Sequence, residues 1–249
     1  GGDSLLACLL AGEETVALTF GGQGAPYLTE IAALHSRGGA VAALIESAMA
    51  CLQEVTAHKA FRWSGLLDQG IDVMAWLEGP KPPATYLASS AVSQPLIFVA
   101  QIARYLSAYT EGLGGAFEAG AVKTLIGHSQ GMLASLLVAE QPSGAIDPDR
   151  FLEFVAYTAW QGLTMAQAGR RCGTGDAPDD ATPMAAVSGV SLARLEALVS
   201  EINSVLPESA QLVVSLQNTL ERHVVSGPPA SLSALKSHLD SQAESEQRL

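Results

Sequence analysis

Gly127, His128, Ser129, Gln130 and Gly131 stand directly behind the apolar run at 124–126 and directly ahead of the helix-like stretch at 132–139. A strand, a G-x-S-x-G turn and a helix in immediate succession demand a sharp reversal of the chain, the layout of a nucleophile elbow. The flanking glycines permit that reversal without a Cβ clash. The serine hydroxyl is then left exposed at a helix N-terminus, where the helix dipole and free backbone N–H groups favour negative charge. Ser129 is therefore the first candidate nucleophile, with Gly127 and Gly131 as structural parts of the turn.

A second glycine cluster follows the first strand. Residues 15–20 are β-branched and apolar and end in Gly21, Gly22, Gln23 and Gly24. Such a loop is either an ordinary strand-to-helix turn or a place where backbone closely approaches a ligand. Beside a nucleophilic serine the second reading gains weight, because acyl transfer needs two N–H donors converging on one oxygen. The residue after the nucleophile, Gln130, supplies one and Gln23 is the candidate for the other.

Phe20 to Gly24, then Ser93, Gln94, Pro95 and Leu96, then Gly127 to Gly131 resemble, in this order, the F-x-G-Q-G loop, the T-Q-P-A-type helix start and the G-H-S-x-G elbow of the acyl-CoA:acyl carrier protein transacylases. The GGQG and GHSQG variants are most similar to the N-terminal acetyltransferase region of bacterial type I fatty acid synthases, a relative of the fungal fatty acid synthase β subunit. The resemblance spans nearly the whole chain. It implies an α/β fold: an α/β-hydrolase-like acyltransferase core with an inserted ferredoxin-like small subdomain. It also implies an acylated Ser129, an oxyanion hole from the Gln23 and Gln130 amides, a substrate pocket lined by Gln94, and a structural His128.

Acyl selectivity is expected to turn on one position. Malonyl-specific relatives carry an arginine on the helix after the elbow helix, pairing bidentately with the malonyl carboxylate. The matching stretch here, 159–165, places Gln161 there, and a buried carboxylate without a cationic partner is costly. Acetyl or another short neutral group is favoured over malonyl, with Arg170 and Arg171 as the cations that a shifted register would bring in.

A serine needs a base, and the resemblance implies a histidine in a V-S-x-x-F-H-like stretch after the small subdomain. His35, His58, His223 and His238 stand in no such context and read as surface or packing residues. The expectation is that the base lies beyond Leu249, that both ends are cuts in a larger polypeptide, and that the chain alone is slow or inactive.

The remaining classes are bounded by composition. A chain of 249 residues, 48% hydrophobic and 15% charged, is long enough for one sizeable core and a lobe. Its net charge of −12 argues against a broad nucleic-acid face. No apolar run reaches the roughly 20 residues of a membrane span, so a cytoplasmic protein is expected. Cys8, Cys51 and Cys172 lack disulfide or zinc spacing and are expected to be reduced and buried; no metal site is predicted. Trp63, Trp76 and Trp160 are read as packing residues.

Two parts are predicted: an α/β core over 1–168, with helices at 40–56, 71–77 and 95–109, and a small subdomain over 184–249 after a Gly/Asp/Pro-rich loop at 169–183. In the latter, 184–190, 211–216 and 223–226 read as strands. Ser191 caps one amphipathic helix, and Leu232, Leu235 and Leu239 mark another. This β-α-β-β-α order is one strand short of a ferredoxin-like unit, which suggests truncation at the C-terminal end. Asn218 falls in the expected turn at 218–220. It either matches a family asparagine near the cleft or is explained by local backbone geometry.

The expected reaction is a two-step exchange, with acetyl-CoA as donor and the phosphopantetheine thiol of an acyl carrier protein domain as acceptor, and with no permanently bound cofactor. Other domains of the same synthase chain are expected as partners, and a homo-oligomer through the full-length chain. A malonyl transacylase of the same fold, a serine hydrolase or thioesterase, and a non-catalytic scaffold fragment remain the alternatives.

Overall fold

The computed structural model describes residues 5–22, 24, 27–171 and 183–246. They divide into two compact units, Gly1–Ala166 and Gln167–Leu249. The first begins with a short helix, α1 (Leu5–Leu10), and strand β1 (Val16–Phe20). Helices α2 (Tyr27–His35), α3 (Gly39–Thr56), α4 (Lys59–Ser64), α5 (Val73–Glu78), α6 (Ala84–Ala88) and α7 (Ser90–Ala108) follow. After a π-helical turn at Tyr109–Leu113 come α8 (Gly114–Glu118), strand β2 (Val122–Gly127), α9 (Gly131–Ala139) and α10 (Pro148–Arg171).

β1 and β2 pair in parallel, with Phe20 opposite Gly127. Parallel pairing puts both C-terminal ends at the same sheet edge, where open α/β sheets bind their ligands. The register thus sets Gly21 beside His128, and the His128 N–H donates to the Phe20 carbonyl at 2.9 Å. Two loops far apart in sequence meet because two short apolar strands pair in one register.

Helix α7 is the spine of this unit. Ala91, Val92, Leu96, Phe98, Val99, Ile102 and Ala103 along it are almost completely buried. Phe98 stacks between Phe151 and Phe154 of α10, at ring distances of 6.0 and 5.9 Å. A helix apolar on nearly all sides belongs in a core. It starts at Ser90, five residues before the expected Pro95, and Pro95 lies inside it. Proline is a natural first helical residue, but burial of Ala91 and Val92 extends the helix backwards past it. The ring removes only the N–H that would face the Ala91 carbonyl.

Three tyrosines tie a helix and two loops to this core through their hydroxyls. Tyr27 donates to the Leu87 carbonyl at 2.7 Å, Tyr86 to Gly70 at 2.6 Å and Tyr105 to Gly144 at 2.5 Å. Burial keeps each phenol protonated; for Tyr86, burial and then the nearby Asp68 charge push the pKa up to about 12.

Several sequence expectations shift in detail. The helix expected at 71–77 begins at Val73, because the Asp72 carboxylate accepts the Ala75 N–H at 3.1 Å and caps it. The loop expected from Gly169 begins later, since α10 runs through Arg171; 172–182 lie outside the described residues. Trp76 is buried and the Trp160 ring packs on Phe61 at 4.7 Å, but Trp63 is 79% exposed under the Lys59 ammonium. Cys8 and Cys51 are free thiols, half-buried rather than buried; Cys172 is outside the described residues.

The second unit contains β3 (Met184–Ser188), α11 (Leu192–Asn203), β4 (Val213–Thr219), β5 (Arg222–Ser226) and α12 (Pro229–Glu246). Its antiparallel sheet has the order β3-β5-β4. That is the arrangement of the first three strands of a ferredoxin-like unit. Ser191 caps α11, its hydroxyl accepting from the Arg194 N–H at 3.4 Å. Leu195, Leu198, Val225 and Leu235 form a separate small core. β3 stops at Ser188, two residues before the expected end, and Gly189 has φ 79°. Asn218 does not lie in the hairpin turn: β4 continues to Thr219, and the reversal falls on Leu220 and Glu221.

Candidate active site

Ser129 is the one non-glycine residue with positive φ among the described residues, at 53°. An L-residue there costs about 1–2 kcal/mol, strain characteristic of a serine held at a strand-to-helix elbow. Its side chain is exposed. The surrounding backbone explains both elbow glycines. A Cβ on Gly127 would lie 2.5 Å from the Met132 nitrogen, and one on Gly131 would lie 2.5 Å from the Gly21 carbonyl oxygen. Neither position has room for a side chain, because β2, the start of α9 and the end of β1 converge here.

Gln130 is the N-cap of α9. The N–H groups of Gly131, Met132 and Leu133 are engaged by the carbonyls of His128, Ser129 and Gln130 at 2.9, 3.1 and 3.1 Å. The Gln130 N–H makes no hydrogen bond among the described residues. A free amide at a helix N-terminus, one residue from an exposed serine, is where an oxyanion is best stabilised. Gln23, the expected second donor, lies outside the described residues, but its neighbour Gly22 does not. A Cβ there would be 3.2 Å from Ser129 Cβ and from His128 Nδ1, so the glycine loop passes directly against the nucleophile.

Behind the serine the wall is made of amides. The Gln130 side chain is 5% exposed and its Nε2–H donates to the Gln94 carbonyl. Gln94, 4% exposed, donates through Nε2–H to Met165 Sδ at 3.3 Å. Gln161 lies one turn before Met165 on α10, and its neighbour Gly162 brings α10 against α7, where a Cβ would meet Gln94 Cβ at 3.1 Å. The Oε1 atoms of Gln94, Gln130 and Gln161 are all buried without a partner among the described residues. Gln130 and Gln94 are thus joined beside the elbow, and α10, which carries Gln161, packs against Gln94 through Met165 and Gly162. Asn218 stands exposed on β4 of the second unit.

No histidine among the described residues hydrogen-bonds Ser129. His35 pairs with Glu46 at 3.0 Å, His58 caps α4 through Nδ1, and buried His223 contacts the Val190 carbonyl through Nε2. His128 is exposed beside the elbow, and His238 lies on α12. Among the described residues no cluster of His, Cys, Asp and Glu could hold a metal ion, and no helix is long and apolar enough to cross a membrane. Sequence reasoning missed Gln101 of α7, whose Nε2–H donates to the Gly21 carbonyl at 2.5 Å. Its spacing of seven residues from Gln94 on one helix was the only available signal.

The elbow, the parallel strand pair and the three-stranded small unit together define the acyltransferase fold. Solved structures agree. The malonyl-CoA:acyl carrier protein transacylase of Helicobacter pylori matches with TM-score 0.59 at 23% identity, over 92% of this chain and 59% of that one. The Streptococcus pneumoniae MCAT matches with TM-score 0.57 at 19% identity, over 91% and 59%. The chain belongs to the family described as starter unit:ACP transacylase in aflatoxin biosynthesis, whose profile matches residues 18–249. Among curated proteins, the fatty acid synthase subunit beta of Gibberella zeae is 29% identical over 95% of this chain, and that of Saccharomyces cerevisiae 31% identical over 67%. The chain spans only 12% and 9% of those two relatives.

Proposed function

We propose that this chain is the acetyltransferase region of a type I fatty acid synthase of bacterial type, moving a short neutral acyl group from coenzyme A to an acyl carrier protein domain in the cytoplasm. Ser129 Oγ attacks the thioester carbonyl, the C–S bond breaks, and coenzyme A leaves as the thiol, giving an acyl-serine ester. The phosphopantetheine thiol of the carrier then attacks that ester, and Ser129 recovers its proton. The observation that carries this reading is an exposed serine at φ 53° beside a Gln130 amide that has no partner among the described residues, at the start of α9. The Gln23 amide is the proposed second donor, and Asn218 a proposed substrate contact.

The acyl preference follows from Gln161. It is uncharged and its Oε1 is buried, so a malonyl carboxylate placed there would lack a cationic partner. Acetyl carries no such charge. A closed multimer of the full-length chain, with the carrier among its other domains, completes the proposal. Steady-state kinetics with acetyl-CoA and a pantetheine thiol tests it: parallel double-reciprocal lines and faster discharge to thiol than to water are expected. Discharge to water at the same rate with and without thiol would make the protein a hydrolase instead.

A further inference from the structure

Gln101 follows Gln94 by seven residues, about two helical turns, and so lies on the same face of α7. Its Nε2–H donates to the Gly21 carbonyl at 2.5 Å, and its Oε1 is buried with no partner among the described residues. Gln101 itself is half-buried, on a helix whose neighbouring residues Val99, Ala100, Ile102 and Ala103 are apolar and buried. A carboxamide with a buried oxygen is costly unless its other end bonds, and its described bond goes to the glycine loop.

That bond falls at a sensitive point. The Gly21 carbonyl and the Gly22 N–H belong to one planar peptide, and Gly22 is the residue that passes against Ser129. The strand ladder does not fix this plane, since its last tie, His128 N–H to Phe20 carbonyl, is one residue earlier. Two successive glycines otherwise leave the chain free to rotate. The same helix holds the other side of the nucleophile, where the Gln94 carbonyl accepts from the Gln130 side chain.

We infer that Gln101 is a positioning residue for acyl transfer, holding the Gly21–Gly22 peptide in the orientation that the oxyanion-binding loop needs beside Ser129. The inference rests on the reading of Ser129 as the acylated nucleophile. Gln101 touches neither substrate nor serine; it acts through the loop, so its loss lowers turnover and leaves acetyl-CoA binding alone.

The test uses the full-length protein with acetyl-CoA as donor, measuring kcat, KM and the unfolding temperature of the wild type and three variants. Gln101→Met keeps the volume without a donor, and Gln101→Glu keeps the shape but, ionised, only accepts. Both are expected to lower kcat about tenfold with KM within about twofold, the pattern of a misplaced transition-state contact. Gln101→Lys restores a donor that reaches a carbonyl and is expected to recover most of that loss. Wild-type kcat in the Met or Glu variant overturns the inference. So does a loss of kcat that tracks the unfolding temperature and is not recovered by Lys, which also decides the matter if the Met variant fails to fold. A wild type that is never acylated overturns the nucleophile reading itself, and this inference with it.

Discussion

Gly131→Ala separates the close-packed elbow from ordinary helix energetics. Gly131 is the first residue of α9, and at an open helical position Ala stabilises relative to Gly by about 0.8–1.0 kcal/mol. Here the added methyl would meet the Phe20 carbonyl oxygen most closely, with the Gly21 oxygen and Phe20 carbon each 2.5 Å away. Ordinary contact begins at 3.4 Å, so the end of β1 and the glycine loop would have to retreat from the elbow by at least about 0.9 Å. These are backbone atoms and have no rotamer to change. Overpacking of this kind costs about 1–3 kcal/mol, which offsets or exceeds the propensity gain. A displacement near 1 Å at the reacting centre costs about a hundredfold in rate. The expected result is unchanged or lower stability, read by denaturant unfolding, with kcat for acetyl transfer about a hundredfold down. A variant more stable by about 1 kcal/mol with wild-type kcat would refute the close approach of β1 and α9.

Two further perturbations probe the acyl pocket and a loop anchor. Gln161→Arg supplies a bidentate partner for a carboxylate; the malonyl-to-acetyl ratio of kcat/KM is expected to rise by about tenfold, the ~1.4 kcal/mol scale of one charge-assisted pair, and an unchanged ratio would remove Gln161 from the acyl pocket. Tyr86→Phe tests a loop anchor through pH. Above pH 10 the unfolded chain loses the phenolic proton while the folded state, with Tyr86 pushed up to about 12, keeps it, so stability falls as pH rises through that window. The variant lacks this contribution, so its stability is expected to decline less steeply between pH 10 and 12; parallel curves would show that Tyr86 titrates normally in the fold.

The sequence was most informative where function is local in the chain. Gly127 to Gly131 announce a strand, a reversal and a helix within one short stretch, and β1 with its glycine loop does nearly the same. The small unit was legible for a similar reason: Ser191 and the leucine spacing of α11 and α12 are short-range patterns. What was hidden depends on partners distant in sequence. Pro95 reads as a helix start until α10 is known to bury the turn before it. Trp63 reads as core, yet its fate is set by how the six-residue α4 lies on α10. Asn218 reads as a turn residue, but pairing with β5 carries the strand past it. Gln101 looks like one polar residue on an apolar helix, and only the 80-residue separation closed by its bond to Gly21 gives it a purpose.

If Ser129 is the nucleophile, its oxygen carries the acyl group between donor and acceptor. Full-length protein is mixed briefly with acetyl-CoA, quenched in acid, digested and mapped by mass spectrometry. The expected result is an acetyl ester on the peptide containing Ser129, chased off by a pantetheine thiol and absent from Ser129→Ala. An acetyl group on another residue, or one that persists in the Ser129→Ala protein, would contradict it.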